Sequence, residues 1–229
     1  RALNRFRSFA RKVSKNNTQT CWILQCDIRK FFASIDHEIL KNILSKHIGD
    51  KDALWLLGQI IDSFNVVGRE NTGLPLGNLT SQLLVNIYMN EFDQFMKREI
   101  KVRYYIRYAD DFVIIHNDRV YLENLIFKIS KFLGERLKLS LHPNKVFIKT
   151  YDSGVDYLGY VSFPNYSVIR TKTKKRMLNR LRQKNNQLNN GQITNKAYKR
   201  SEQSYLGILT HCKGYKLKQE VYNLTKYKK

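Results

Sequence analysis

Two adjacent carboxylates separate two β-rich runs in the stretch Arg103-Tyr104-Tyr105-Ile106-Arg107-Tyr108-Ala109-Asp110-Asp111-Phe112-Val113-Ile114-Ile115. A short polar break between apolar segments predicts a β-hairpin whose turn holds Asp110 and Asp111. An Asp-Asp pair in a turn often has only a structural role, because aspartate side chains bond their own backbone. Here the apolar chain on both sides would bury the hairpin stem and fix both carboxylates at a sheet edge, which favours a metal site.

A third carboxylate, Asp27, follows the apolar run Cys21-Trp22-Ile23-Leu24-Gln25-Cys26, which predicts a short strand buried on both faces. On its own, an aspartate at a strand end is most often a cap or turn residue. The order of elements along the chain predicts an α+β fold, with an antiparallel sheet backed by helices on one face. This topology permits Asp27 and Asp110 to end neighbouring strands at one edge, where carboxylates can bind two Mg²⁺ ions about 3.5–4 Å apart.

The chain of 229 residues is strongly basic, with 41 lysines and arginines against 19 acidic residues and a formal net charge of +22. This excess argues against a metabolic enzyme and favours a protein that neutralises the phosphates of nucleic acid. No apolar run approaches the length of a transmembrane helix and no signal peptide is visible, so we expect no membrane partner and a cytoplasmic location. These features predict a metal-dependent phosphoryl-transfer enzyme that acts on nucleic acid.

One helix is predicted at the start of the chain, and another follows a glycine-rich loop. Residues 1–16 place apolar side chains at three-to-four spacing among arginines and lysines, which predicts an amphipathic helix. Both a solvated surface helix and a nucleic-acid contact are open for it. The loop at residues 65–77 leads into a helix that Thr80 can cap, and a glycine-rich loop before a helix N-terminus suits phosphate.

The C-terminal third predicts a second hairpin and a helical region. Residues 157–163 and 166–169 flank Pro164-Asn165, which predicts two strands and a turn. A basic helix follows, and so dense a run of one charge favours a polyanion nearby. We expect the lysine-rich residues 216–229 to be loosely ordered. The three cysteines, Cys21, Cys26 and Cys212, fit neither a disulfide framework nor a zinc site, so we expect reduced thiols.

The motif Tyr108-Ala109-Asp110-Asp111 resembles the Tyr-x-Asp-Asp box of reverse transcriptases. The run from Cys26 to His37 is similar to the first catalytic motif of bacterial reverse transcriptases. The resemblance implies a polymerase palm in which Asp27, Asp110 and Asp111 bind two Mg²⁺ ions, with Mn²⁺ able to substitute. It also places Ile28 at the metal and nucleotide site.

The resemblance extends to residues that would contact the incoming nucleotide. Phe32 matches the bulky steric gate that excludes a ribose 2′-hydroxyl, although a plain core position is the alternative. Leu74-Pro75-Leu76-Gly77-Asn78-Leu79-Thr80-Ser81-Gln82 looks like the loop and helix that lie against the nucleotide and template base. It implies substrate contacts by Leu76, Gly77, Ser81 and Gln82.

This loop and helix also carry a variant. Most relatives, including group II intron maturases, have Gln-Gly-x-x-x-Ser-Pro there, whereas this chain has Leu76 and Gln82 in place of the first Gln and the Pro. The variant resembles the enzymes of diversity-generating retroelements, which misincorporate opposite template adenine. An apolar Leu76 where an amide would hold the nucleotide loosens selection, since the lost hydrogen bond weakens discrimination.

The remaining motifs imply a proton donor for catalysis and a surface that binds the primer–template duplex. Leu139-Ser140-Leu141-His142-Pro143-Asn144-Lys145 is similar to the family's next motif, whose lysine, here Lys145, is proposed to protonate the departing pyrophosphate. An ordinary surface lysine is the alternative. Tyr157-Leu158-Gly159-Tyr160 resembles the primer-grip hairpin, and the following basic helix would begin a thumb. The implied nucleic-acid-binding residues are Tyr108, Leu158, Gly159, Lys172, Lys174, Lys175, Arg176 and Arg180.

The resemblance implies three regions: residues 1–20 as a remnant of the fingers or palm-entry helix, 21–168 as the palm, and 169–229 as the thumb with a basic tail. The fingers would be largely missing. The expected function is RNA-directed DNA synthesis, most like that of a diversity-generating retroelement of a bacterium or phage. The expected partners are template RNA, a DNA or RNA primer, dNTPs and an accessory variability protein. A group II intron-like or phage-defence enzyme and a non-catalytic nucleic-acid-binding relative are the alternatives.

Overall fold

The computed structural model describes residues 2–226 and confirms the predicted α+β class. Contacts divide these residues into two compact units, one of residues 4–149 with Ala2 and one of residues 150–226 with Leu3. The division falls after Lys149, before the hairpin that the sequence analysis assigned to the palm. The assignment of palm and thumb boundaries therefore stays a prediction. The last three residues of the expected basic tail, 227–229, lie outside the described residues.

The first unit is built on a four-stranded sheet. Its strands, in spatial order, are β2 (Tyr105–Tyr108), β3 (Asp111–His116), β1 (Trp22–Cys26) and β4 (Phe147–Thr150). β3 pairs antiparallel with both β1 and β2, and the β1–β3 register sets Trp22 opposite His116 and Cys26 opposite Phe112. The predicted central hairpin is confirmed. Its stem is apolar and buried, as the sequence pattern indicated.

Helices cover the sheet through a core of large side chains. They are α1 (Ala2–Val13), α2 (His37–Ser45), α3 (Lys51–Asp62), α4 (Leu79–Gln94) and α5 (Arg119–Leu137), with a 3₁₀ turn at Phe31–Ser34 and a π-helical turn at Phe95–Glu99. Phe92 of α4 is fully buried, and its ring lies 5.0–6.4 Å from the rings of Phe95, Tyr105, Phe112 and Phe132. This aromatic cluster fixes α4 and α5 against the two strands of the hairpin.

Side-chain caps begin three of the described helices of the first unit. The carboxylates of Asp36, Asp50 and Asp118 each accept a hydrogen bond from a backbone N–H of the first turn of α2, α3 and α5. The predicted cap at Thr80 is wrong, because α4 already begins at Leu79. Its N-cap, Asn78, makes no side-chain capping bond. The first N–H groups of α4 therefore remain available to an acceptor outside the helix.

The second unit combines a small sheet with three helices. Its antiparallel strands are β5 (Val155–Tyr157), β6 (Tyr160–Ser162) and β7 (Ser167–Ile169), and its helices are α6 (Thr171–Asn189), α7 (Asn195–Leu209) and α8 (Tyr215–Lys226). Leu178, Leu181, Leu209 and Val221 form the buried contact among these helices. No helix within residues 2–226 is long and apolar enough to cross a membrane.

Two expectations for this unit are wrong. Residues 157–163 do not form one strand, since the chain turns at Leu158-Gly159, where φ is 50° and 85°. Positive φ at both central residues matches the twist of a two-residue hairpin. Residues 216–226, expected to be loosely ordered, are helical, because Leu217 and Val221 place an apolar stripe against the other two helices.

Candidate active site

A two-residue turn, Ala109-Asp110, joins β2 to β3 and carries the carboxylate pair. Tyr108 pairs with Asp111 across the hairpin, and the Tyr108 side chain is exposed. Ala109 has φ 54°, in the left-handed region that a residue with a Cβ avoids. Such a conformation persists only where the surroundings impose it. The turn therefore needs contacts with neighbouring residues to keep Ala109 in this conformation.

Arg107 stabilises this turn through hydrogen bonds of its guanidinium group. Its Nη1 donates to the carbonyl oxygen of Ala109 at 3.1 Å, while Nε and Nη2 donate to the two oxygens of Asp93 at 2.9 and 2.7 Å. The Tyr105 hydroxyl donates to the same carboxylate at 2.7 Å. A partly buried bidentate pair thus links the carboxylate turn to the end of α4. Sequence reasoning missed Arg107 and Asp93, although an arginine inside an apolar strand beside an Asp-Asp pair was an available signal.

Asp27 follows β1, and the register of β1 with β3 brings it beside Asp111. The backbone on either side of it is fixed by a neighbouring segment. The His142 N–H donates to the Asp27 carbonyl at 2.8 Å, and Ile28 forms an antiparallel bridge with Leu141. The Ile28 side chain is buried, so only its main chain can reach a metal or nucleotide.

Lys145 is the cation of this site. Its Nζ donates to Oδ2 of Asp27 at 2.9 Å. A turn orients it, in which the Lys145 N–H donates to the His142 carbonyl and the Asn144 N–H donates to Nδ1 of His142. The hydrogen bond to Asp27 raises the pKa of Lys145 above its usual range, so the ammonium form is favoured.

The three carboxylates repel one another. Partial burial, then the charges of Asp110 and Asp27, raise the pKa of Asp111 to about 6. The pKa of Asp110 is also raised, first by partial burial and further by the charge of Asp27. A raised carboxyl pKa means that the folded protein disfavours the charged form. A divalent cation placed among these groups would reverse that penalty.

The donor set suits a hard divalent cation. Asp27, Asp110 and Asp111 supply carboxylate oxygens, the ligands that Mg²⁺ takes. Within residues 2–226, however, no three His, Cys, Asp or Glu side chains are already gathered around a common metal position. One oxygen of Asp27, Oδ2, already accepts a hydrogen bond from the Lys145 ammonium.

The predicted nucleotide-contacting residues divide by exposure. Phe32 is half-buried against the core, and its carbonyl accepts from the Leu74 N–H at 2.8 Å, which joins the 3₁₀ turn to the loop before α4. Leu76 is 79% exposed, Gly77 has φ 95° and Gln82 is exposed. Ser81 is buried, so its side chain supports α4 and does not face an open surface.

Apart from Tyr108, all the predicted nucleic-acid-binding residues lie in the second unit. Leu158 and Gly159 form the β5–β6 turn, and the Gly159 carbonyl accepts from the Arg170 N–H at 3.0 Å. Lys174 is partly exposed, with its Nζ 3.7 Å from a Glu220 oxygen. Of the predicted residues of α6, Lys172, Lys175, Arg176 and Arg180 are exposed, and Arg182 is exposed as well. They form one basic helix surface without a role in the core.

Comparison with known proteins agrees with this geometry. Residues 2–162 match the family described as "Reverse transcriptase (RNA-dependent DNA polymerase)". The chain belongs to the reverse transcriptase family. Enzymes of this family use divalent metal ions. The recognised region contains Asp27, Asp110, Asp111 and Lys145.

Curated relatives of the chain include intron-encoded proteins. Protein YkfC of Escherichia coli is 27% identical over 179 residues, which cover 62% of this chain and 47% of YkfC. The group II intron-encoded protein LtrA of Lactococcus lactis is 24% identical over 231 residues, which cover 69% of this chain and 38% of LtrA. The chain spans between about a quarter and a half of the length of the curated relatives it matches first.

Solved structures with a similar fold include telomerases. Apo telomerase from Candida tropicalis gives a TM-score of 0.59 at 13% identity, covering 79% of this chain and 38% of the telomerase. The same enzyme with the TWJ fragment of telomeric RNA gives 0.57 at 12% identity, covering 80% and 36%. At these identities the likeness concerns the fold alone, and it confirms an α+β polymerase architecture.

Proposed function

We propose that this chain is the catalytic part of an RNA-directed DNA polymerase, which adds deoxynucleotides to a primer on a template RNA. One observation supports this most: Asp27, Asp110 and Asp111 converge at one end of the sheet beside Lys145, in a chain of the reverse transcriptase family. The test is extension of a DNA or RNA primer on an RNA template by the full-length protein. We expect dNTP addition that requires Mg²⁺ and stops when a chelator removes it.

The three carboxylates and the main-chain carbonyl of Ile28 would hold two Mg²⁺ ions, with Mn²⁺ as a substitute. When bound, such ions supply the charge neutralisation and the activated primer hydroxyl that an in-line displacement requires. The protein contributes position, because strand pairing and Arg107 hold the carboxylate turn while the bridge at Ile28 holds Asp27. Fixed positions of this kind lower the barrier without further reorganisation.

The nucleotide would lie between the carboxylates and the N-terminus of α4. The N–H groups of the first turn, which no side chain caps, suit phosphate oxygens. The preceding loop is open at Gly77, since a Cβ added there would have no other atom within 4 Å. Phe32, bonded through its backbone to Leu74 in the loop before α4, would be the steric gate for the sugar. The second unit's basic α6 surface and the Leu158-Gly159 turn would contact the primer–template duplex.

Lys145 is proposed as the general acid that protonates the departing pyrophosphate. Replacing it with glutamine should lower kcat of single-nucleotide addition about 100-fold, because a positioned proton donor contributes about 10²–10⁴-fold. The KM for dNTP should change little. Lys149→Gln, an exposed lysine four residues later, is the matched control and should extend primers at the normal rate. Equal rates for both variants would remove Lys145 from proton transfer.

The finer proposal is an error-prone enzyme of a diversity-generating retroelement. Leu76 is 79% exposed at the position where most relatives carry an amide, so it offers the nucleotide no hydrogen bond. We expect wild-type errors to concentrate at template adenines, and Leu76→Gln to reduce them by about tenfold, as sequencing of the cDNA would show. Accurate copying by the wild-type protein would reject the mutagenic proposal and leave the polymerase intact.

A second candidate is a group II intron-like or phage-defence reverse transcriptase, and the similarity to the group II intron-encoded protein LtrA favours the intron-like form. The gene's neighbourhood separates the two, since a pair of imperfect repeats that differ at adenines accompanies the first and intron RNA structure accompanies the second. The first proposal also includes an accessory variability protein as partner and a cytoplasmic location in a bacterium. A non-catalytic nucleic-acid-binding relative would bind RNA without extending any primer.

A further inference from the structure

A basic cavity opens at the end of the sheet away from the carboxylates. Its volume is about 490 Å³, and it lies entirely within the first unit. Lys12 and Lys15 line it from the end of α1, Lys101 and Arg103 line it from the segment before β2, and His116 lines it from the end of β3. No acidic side chain is among its described lining residues. The cavity therefore concentrates positive charge at a place with no assigned role.

The four cations of this cavity have no ion-pair partner among the described acidic residues. Other basic residues of the same unit do: Lys41 pairs with Asp62, Lys138 with Asp36 and Lys145 with Asp27. Four neighbouring positive charges repel one another, and a chain with 41 basic and only 19 acidic residues offers few negative charges to offset that repulsion. A bound polyanion would offset it.

Two of these cations occupy backbone conformations that glycine adopts with less strain. Lys15 has φ 46° and Lys101 has φ 59°, both in the left-handed region. A side chain at such a position is unfavourable for the turn itself. Lysines in this conformation therefore lie at both rims of the cavity, as Lys30 and Lys138 do elsewhere in the first unit.

His116 adds an imidazole ring that its neighbours hold in place. Nδ1 of His116 lies 3.0 Å from the Asp118 backbone nitrogen and 3.3 Å from the Asp118 carbonyl oxygen, so a local turn holds the ring. The ring stacks on Tyr121 with centroids 4.2 Å apart, which fixes its plane. The imidazole ring thus lies beside the four cations in the lining of the cavity.

The cavity is separate from the site of nucleotide addition. β3 runs from Asp111 beside the carboxylate turn to His116 at the cavity, and five steps of about 3.4 Å place the two about 17 Å apart. A single phosphate would engage one or two of the donors, whereas a strand can engage cations on both rims. We propose that the cavity binds the backbone phosphates of an RNA segment that lies outside the primer–template duplex. RNA as the occupant rests on the proposed function.

The test compares two triple variants of the full-length protein that lose the same charge. The cavity variant is Lys12→Gln/Lys101→Gln/Arg103→Gln, and the control is Lys46→Gln/Lys51→Gln/Lys131→Gln, which changes exposed lysines elsewhere in the first unit. Binding of a labelled single-stranded RNA is measured over a series of salt concentrations, with a short unlabelled primer–template duplex in excess to occupy the cleft.

The cavity variant should bind the labelled RNA about 100-fold more weakly at about 0.1 M salt, with a salt slope smaller by about 2, since each lost contact to a single strand removes about 0.7. The control should lose less than about threefold. Equal losses would show general electrostatic attraction and overturn the proposal. Lysine acetylation of the unaltered protein gives an independent readout: bound RNA should protect Lys12, Lys15 and Lys101, and unchanged acetylation would also overturn it.

Extension of the short primer–template separates this proposal from the polymerase proposal. The cavity variant should extend it at the wild-type rate, because the cavity does not contact that duplex. An equal loss of extension and RNA binding would place the cavity on the duplex path and reject a separate site. If the wild-type protein extends no primer, the polymerase proposal fails, while the salt-dependence and acetylation results still decide whether the cavity binds RNA.

Discussion

Asp110→Asn should abolish primer extension, with a rate at least about 1000-fold below that of the wild-type protein, while RNA binding is retained. The asparagine keeps the shape of the turn but removes a full negative charge from a metal-binding carboxylate. Metal ions contribute several kcal/mol of charge stabilisation to such reactions, and each 1.36 kcal/mol is tenfold in rate. Single-turnover extension in Mg²⁺ measures the loss, and fluorescence anisotropy with labelled RNA measures binding.

Stability distinguishes this loss from misfolding. The charge of Asp110 is one of the causes that raise the pKa of Asp111, so its removal relieves repulsion in the metal-free protein. The melting temperature of Asp110→Asn at neutral pH should therefore equal or exceed that of the wild type. Asp52→Asn, on an exposed carboxylate in the first turn of α3, is the control and should extend primers normally. Extension by Asp110→Asn at the wild-type rate would exclude this carboxylate from the mechanism.

The elements that carry the carboxylates could be predicted because their signals are local. Two apolar runs around a polar break gave the hairpin, and an apolar run before Asp27 gave the adjacent strand. Asp27 and Asp110 are 83 positions apart in the chain, and the predicted topology permitted them to end neighbouring strands, as β1 and β3 do. The pairing of Lys145 with Asp27 was not predicted, since nothing in either segment specifies the other.

What the sequence did not reveal depends on tertiary contact. Leu158-Gly159 lies within an apolar run, so no polar break marks its turn, and only the resemblance to a primer-grip hairpin indicated the positive φ found at both residues. The lysines of α8 masked the spacing of Leu217 and Val221, whose burial needs α6 and α7 in place. The contact between Arg107 and Asp93 joins a strand to a helix, and no periodicity within one element can indicate it.

Arg107→Lys should lower kcat of primer extension by about 10- to 100-fold and change the KM for dNTP less than about threefold. A lysine keeps the charge but cannot donate to both Asp93 oxygens and to the Ala109 carbonyl together. The Ala109-Asp110 turn would then relax from its strained conformation, and small displacements of catalytic groups cost up to about 10²-fold. The Mg²⁺ concentration for half-maximal extension should rise as well, which a purely structural defect would not produce.

Arg119→Lys is the matched control, because Arg119 forms an exposed pair with Glu123 and exposed pairs contribute little. It should extend primers within about twofold of the wild type. A double-mutant cycle with Asp93→Asn then tests the coupling. If Arg107 acts through Asp93, the double variant should be little worse than either single one, since each already breaks the same link. Additive losses would mean that the two side chains position the turn independently, and normal Mg²⁺ dependence in Arg107→Lys would mean that strand pairing alone holds Asp110 in place.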